Sequence, residues 1–476
     1  MAGDPEVIGP EARATNTERL EGLLDEWREQ GVSRVKLALA DVDGVLRGKY
    51  VSLTKLASML TTDAGFCDCV LGWDVADQLY DNAALTGWHT GFPDALFRLD
   101  AATARRIPGE NTPLLLADFV RPAADAAEGV LRHPACARGR LKSVLARAAT
   151  LGLHPRMGFE YEFFVFRETP SSIRDKGYQK LVPLTPGNFG YSILRTSAEA
   201  ELFTELMAYC DGLDLPVEGL HCETGPGVWE AALAPADGVE AADRASLFKT
   251  FTKVFFQSRG LLATFMAKWS MDYPGQSGHL HVSLQGDDRL PLFHAASGER
   301  GMSATQRHFV GGLQRYMREL AVLYAPTVNS FTRLVPGAWA PTAATWGVEN
   351  RTCALRVIPG GAASQRVEFR ASGADANPYL AAAAVIAAGV QGVLDQIEPD
   401  APVAGNAYTD QDRLPEALRL PTHLREGAAL LRASELAQHW FGEAFVTHFA
   451  ATREWEAREY ERHVNDWQLG RYFEII

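Results

Sequence analysis

Residues 158–166 read GFEYEFFVF, an aromatic and aliphatic run interrupted only by Glu160 and Glu162. Such residues favour a strand, and on a strand positions two apart face the same side. The two carboxylates therefore project together from a segment whose other residues favour burial. An ionised carboxylate is expensive to bury alone. The pair must reach solvent, hold a proton or hold a cation, and the stretch alone does not choose among these.

The same spacing recurs along the chain. GQSGHLHVSL (275–284) places His279 and His281 on one face, and RVEFRAS (366–372) does the same for Arg366, Glu368 and Arg370. EGLHCETGPGVWEAAL (218–233) carries Glu218, Glu223 and Glu230, with a Gly225-Pro226-Gly227 turn that folds Glu223 back toward Glu230. Taken singly, each has an ordinary structural explanation: a satisfied core histidine or a Glu–Arg pair. Together they put about five carboxylates and one or two imidazoles on one sheet face, and oxygen-rich ligation of this kind suits Mg²⁺ or Mn²⁺. Arg333 in NSFTRLVPG, Arg351 and Arg356 in ENRTCALRV, and Arg370 add a cationic group. Metal ligands and guanidiniums around one cavity fit phosphoryl transfer. There is no Walker A motif or kinase glycine-rich loop.

The 476 residues, 47% hydrophobic, can bury a large core, and the net charge of −13 argues against a nucleic-acid partner. Six scattered cysteines form neither a disulfide framework nor a zinc knuckle, so a reduced, cytoplasmic protein is expected. No apolar leader opens the sequence, and the run YLAAAAVIAAGVQGVL from Tyr379 is too short to span a membrane. A soluble protein with no membrane partner is expected. Helical spacing predicts a surface helix over 17–31, and VSRVKLALADVDGVLRGKYV (32–51) reads as strand, turn at Asp43-Gly44, strand. The Asp-x-Asp-Gly there resembles the first motif of haloacid-dehalogenase phosphatases, but the second acidic pair is lacking and a hairpin turn explains it. An alanine-rich linker is expected at 121–130. Later strands near 216–234, 279–284, 353–358 and 366–370 alternate with helices near 239–260, 304–324 and 378–397. The expected division is an N-terminal helix or tail (1–30), a small domain (31–125) and a large one (126–476) in an α+β fold.

In order, these motifs resemble the catalytic domain of the glutamine synthetase superfamily from about Pro134 to the C-terminal DWQLGRYFEII, and the N-terminal part is similar to that family's β-grasp domain. The resemblance implies a curved antiparallel sheet flanked by helices, lining a catalytic cavity with two divalent ions and ATP. By position, Glu162, Glu223 and Glu230 match the first metal's ligands, and Glu160, His279 and Glu368 the second's. Arg333 and Gly275 match glutamate-binding positions, and Arg351 and Arg370 those that stabilise the transferred phosphoryl group. Glu218, His281, Ser283 and Arg356 match positions that contact ATP. The implied chemistry forms γ-glutamyl phosphate, which an amine converts to an amide.

Departures fall on the acceptor side. Trp339, in GAWAP, stands where glutamine synthetases carry a glutamate that serves ammonium, and Pro274 replaces an asparagine that helps hold glutamate. Asp74, in LGWDVADQLYDN, is the equivalent of the ammonium-binding aspartate. An indole favours the carbon skeleton of a larger amine, so the expected reaction is γ-glutamylation of an organic amine. A polyamine would use Asp74, Asp77 and Asp81; an arylamine would use Trp73, Trp88 and Trp339. Glutamine synthesis from ammonium and a non-catalytic binding role are the alternatives. Tyr408, in GNAYTDQDRLP, lies near the family's adenylylated tyrosine but with a broken flanking pattern. The family default is a homododecamer of two hexameric rings.

Overall fold

Alternating apolar residues in the first third of the chain build a mixed sheet in this computed structural model, which describes residues 6–61, 64–110, 112–123, 129–409 and 411–475. Its described strands are β1 (Val7–Ile8), β2 (Arg34–Ala40), β3 (Leu46–Ser52), β4 (Ala64–Cys67), β5 (Asp94–Leu99), β6 (Arg105–Ile107), β7 (Thr112–Pro122) and β8 (Val130–Arg132). They lie in the order β1-β8-β7-β2-β3, with β5 and β6 also on β7 and β4 on β5. The β2–β7 pair is parallel. The helix Pro10–Glu29, longer than the expected 17–31, buries Leu20, Leu24 and Trp27 in one apolar cluster with β2 and β7 residues such as Leu37 and Phe119. The N-terminal sheet reaches past residue 125, because β8 pairs with both β7 and β1. Part of the expected linker, 124–128, lies outside the described residues.

The Asp-x-Asp-Gly stretch is the β2–β3 turn. Asp41 Oδ1 accepts from the N–H groups of Asp43 and Val45 at 3.0 and 2.9 Å, and Arg47 Nε donates to Oδ2 at 2.9 Å. That is a turn-capping aspartate rather than a nucleophile.

The second sheet contains β9 (His154–Phe166), β10 (Val217–Cys222), β11 (Val228–Leu233), β12 (Ala236–Asp237), β13 (Leu262–Thr264), β14 (Gly278–Gln285), β15 (Trp346–Val348), β16 (Leu355–Ile358) and β17 (Arg366–Phe369). Its order is β10-β11-β9-β14-β17-β16-β15, with β12 and β13 also on β9. All these pairs are antiparallel except β15–β16, a departure from the all-antiparallel expectation. The two sheets with their helices make an α+β protein. One face of β9 is apolar: Phe159 and Tyr161 stack at 5.7 Å, and Tyr161 and Phe163 pack on Phe248 of the helix Val239–Gln257. The alanine-rich helix Pro378–Leu394 is buried on nearly every side, as its composition requires. The helix expected over 304–324 ends at Tyr316, and a short 3₁₀ turn follows at Ala321–Leu323.

The two sheets are joined through a buried guanidinium. Arg138, on the helix Ala137–Thr150, donates Nε to Asp243 at 2.7 Å and bonds both oxygens of Asp118 at 2.9 and 3.0 Å. Its other terminal nitrogen reaches Asp100 and Asp243, each at 2.8 Å. Asp118 is on β7 and Asp243 on Val239–Gln257, so one cation fastens the N-terminal sheet to the helical layer.

Candidate active site

Cross-strand partners share a face, so register decides which side chains meet. Glu230 on β11 lies opposite Glu162 on β9, and His221 on β10 lies opposite Glu230. On the other side of β9, His279 lies opposite Glu160. His281 then pairs with Glu368, and Glu368 with Arg356. The result is a row of ionisable groups across six hydrogen-bonded strands. It lines a cavity of about 410 Å³ that also presents Tyr191, Glu223, Gly275, Ser277, Trp339, Arg351 and Arg370.

Two clusters sit in this row. The ligand atoms of Glu160, His279 and Glu368 all lie within 4.8 Å of one another, as do those of His221, Glu223 and Glu230. The first is the set expected for the second metal. The second brings His221 beside Glu223 and Glu230, while Glu162, expected with those two, lies directly opposite Glu230 on β9. One oxygen of Glu162, Oε2, accepts the backbone N–H of Ser277 at 2.8 Å, which orients that carboxylate along the Gly275–Ser277 wall. His221 Nε2 lies 3.2 Å from Glu223 and 3.6 Å from Glu230.

The electrostatics follow from crowding. Burial, then the carboxylates of Glu162, Glu160 and Glu223, push Glu230 up to about 10. Burial also raises Glu162. Burial would raise Glu160 too, but the imidazoles of His279 and His281 hold it below the usual carboxylate range. For Glu368 the opposing groups are His279 and Arg370, and its pKa falls to about 2. His279 is driven down to about 4 by burial, then Arg370. Such a site favours extra positive charge.

The residues present fit divalent cations. Both clusters combine carboxylates with one imidazole, the donor set of a hard ion such as Mg²⁺ or Mn²⁺. The buried Nε2 atom of His279 has no hydrogen-bond partner among the described residues.

The remaining expected residues divide. Gly275 lines the cavity, and a Cβ there would meet Arg333 Cγ at 2.6 Å and the Ala267 carbonyl at 2.7 Å. Arg333 lies behind this glycine: it donates to the Ala371 and Arg370 carbonyls at 3.1 and 3.2 Å and to Ser277 Oγ at 2.9 Å. It does not line the cavity, because its guanidinium serves the backbone there. Arg356 bonds Glu368 at 2.9 Å, and Arg370 bonds the other oxygen of Glu368. His281 touches Glu160 at 3.1 Å behind the cavity wall, and Ser283 continues its row away from the cavity. Glu218 is exposed on β10, beside a bulge that shifts register between Val217 and Gly219. Asp74 is also absent from this cavity; its Oδ1 accepts from the N–H groups of Ala76 and Gln78, each at 2.8 Å. The Tyr408 hydroxyl, instead of pointing freely to solvent, donates to the Ala340 carbonyl at 3.1 Å.

Sequence reasoning missed His221 and Tyr191. His221 precedes Glu223 by two, the spacing that marked the other pairs. Tyr191 stacks on His221 at 4.5 Å from a backbone φ of 59°, and no periodicity signals it.

A family profile described as "Glutamine synthetase, catalytic domain" matches residues 134–472. "Type-1 glutamine synthetase 2" of Dictyostelium discoideum is 42% identical over 98% of this chain and 88% of its own length. "Glutamate--isopropylamine ligase" of a Pseudomonas species is 32% identical over 97% of this chain and 99% of its own. Among solved structures, the ADP complex of GmaS aligns with a TM-score of 0.81 at 29% identity, covering 95% of this chain and 99% of that one.

Proposed function

The chain belongs to the glutamine synthetase family, and on that premise we propose that it is an ATP-dependent ligase joining the γ-carboxylate of glutamate to an organic amine. The observation that most supports an organic acceptor is Trp339, an indole lining the cavity that holds Glu223 and Tyr191. The likeness to a relative named for isopropylamine supports it further.

In the proposed reaction a γ-carboxylate oxygen of glutamate attacks the γ-phosphorus of ATP. The bond to the β-phosphate oxygen breaks and ADP leaves. The amine nitrogen then attacks the acyl carbon, the bond to the phosphate oxygen breaks, and the amine proton leaves with the phosphate. Divalent ions held by Glu160, His279 and Glu368 and by His221, Glu223 and Glu230 would neutralise phosphate charge. Arg351 and Arg370 face the cavity and stabilise the equatorial oxygens in flight. Arg356 orients Glu368. Glu218, His281 and Ser283 do not line this cavity and would meet the nucleotide only outside its walls. Arg333 acts on glutamate by holding the Gly275–Ser277 wall, and Asp74 reaches a cavity only if a neighbouring subunit delivers it. A closed ring is supported by the exposed apolar C-terminal groups Trp467, Phe473 and Ile475, which suit contact with another copy.

The test is phosphate release from ATP and glutamate with a panel of ammonium, ethanolamine, isopropylamine, ethylamine, putrescine and aniline. An organic amine is expected to give the highest kcat/KM. Ammonium turning over best would instead support glutamine synthesis, the reading favoured by the 42% identity to a protein named as a glutamine synthetase.

A further inference from the structure

The chain at 403–409, together with Gln411, braces two loops of the cavity wall. The carbonyls of Val403 and Gly405 accept from Asn350 Nδ2 at 3.1 and 2.8 Å, and the N–H of Ala407 donates to Thr352 Oγ1 at 2.9 Å. Asn350 and Thr352 flank Arg351. Further along, Gln411 bonds Thr342, and the Tyr408 hydroxyl donates to the Ala340 carbonyl at 3.1 Å. Ala340 follows Trp339 directly. This stretch therefore touches both the loop of the phosphate-facing arginine and the loop of the acceptor-facing indole.

Trp339 needs such a brace. Its φ is 58°, in the left-handed region that a bulky residue occupies only when its surroundings fix it. Its side chain is 59% exposed, so its own packing does not hold it there. Ala340, in contrast, is buried, and its carbonyl has the half-buried phenol of Tyr408 as a fixed donor. We propose that Tyr408 is a positioning residue for acceptor selectivity, its hydroxyl holding the Ala340 carbonyl so that the Trp339 indole forms the amine-facing wall. This inference rests on the acceptor reading of Trp339 given above.

The experiment compares Tyr408→Phe, Trp339→Ala and the double variant, using isopropylamine or whichever panel amine turns over fastest. Removing one neutral hydrogen bond is expected to raise the acceptor KM about fivefold in Tyr408→Phe. The KM values for ATP and glutamate stay unchanged, and ammonium use changes least. In the Trp339→Ala background the same substitution should add nothing. The proposal is overturned if Tyr408→Phe leaves the acceptor KM unchanged, raises all three KM values in parallel, or acts equally with and without the indole. If Trp339→Ala alone leaves the acceptor KM unchanged, or no organic amine is used, the acceptor reading falls and this proposal with it. If Trp339→Ala raises the acceptor KM and Tyr408→Phe does not, only the role of Tyr408 falls.

Discussion

Trp339→Glu should move this enzyme from organic amine toward ammonium, and the size of the shift follows from the cavity wall. The indole lines the cavity with 59% of its surface exposed, so an alkyl amine can lie against one face of it. Full burial is worth about 0.8 kcal/mol per methylene. Three carbons covered on one side gain about half of that sum, roughly 1.2 kcal/mol, or about sevenfold in affinity. Replacing the indole by a carboxylate removes this gain. It also sets a new anion at the acceptor position, and a solvent-reached pair with ammonium contributes up to about 1 kcal/mol. The two effects combine to about 2 kcal/mol, a shift of roughly thirtyfold in the ratio of kcat/KM for isopropylamine to that for ammonium. The assay is coupled phosphate release at saturating ATP and glutamate, with the ATP KM as the control for an intact nucleotide side. A ratio that moves less than about threefold, or a parallel loss with both acceptors, would refute the reasoning, because either result places acceptor choice away from Trp339.

Further outcomes test the supports of the site. Arg138→Met removes the guanidinium that bonds both Asp118 and Asp243 and should cost about 3–5 kcal/mol in urea unfolding. Burial alone would raise Asp118 and Asp100, but Arg138 and Lys142 hold both below the ordinary carboxylate range. Their stabilisation is therefore complete above the unfolded value of about 3.9 and is lost as pH falls toward the depressed folded values, so the gap between wild type and variant should narrow below about pH 4. Gly275→Ala drives a Cβ to 2.6 Å from Arg333 Cγ. At an overpacking cost of about 1–3 kcal/mol, the glutamate KM should rise about tenfold while the ATP KM holds. Mg²⁺ at about 100 times its Kd should stabilise the protein by about 2.7 kcal/mol, read as a rise in thermal midpoint. Glu230→Gln should lose most of that rise, and an equal rise in the variant would remove Glu230 from the metal set.

Much of the site was legible because strand periodicity is a local property. Glu160 and Glu162 two apart, His279 and His281 two apart, and Glu368 between two arginines all follow from the alternation of β side chains. The turn at Asp43-Gly44 and the buried helix from Tyr379 follow equally from composition. Glu218 shows where this reading stops. The sequence offered it as a member of the acidic face, but β10 aligns with β11 so that His221 lies opposite Glu230, and Glu218, three residues earlier past a bulge, faces solvent.

By itself, then, the sequence determined that certain strands carry charge on one face and core on the other, since that alternation repeats every two residues whatever the strand's partner. Only the tertiary structure decided which charges meet. It turned Arg333 toward the carbonyls of Ala371 and Arg370, put His221 beside Glu223, and tied Tyr408 to Ala340. Those contacts join segments 37 or more residues apart for Arg333 and 68 apart for Tyr408. Register, loop conformation and competition for buried donors set them, and none of these leaves a periodic mark on the chain.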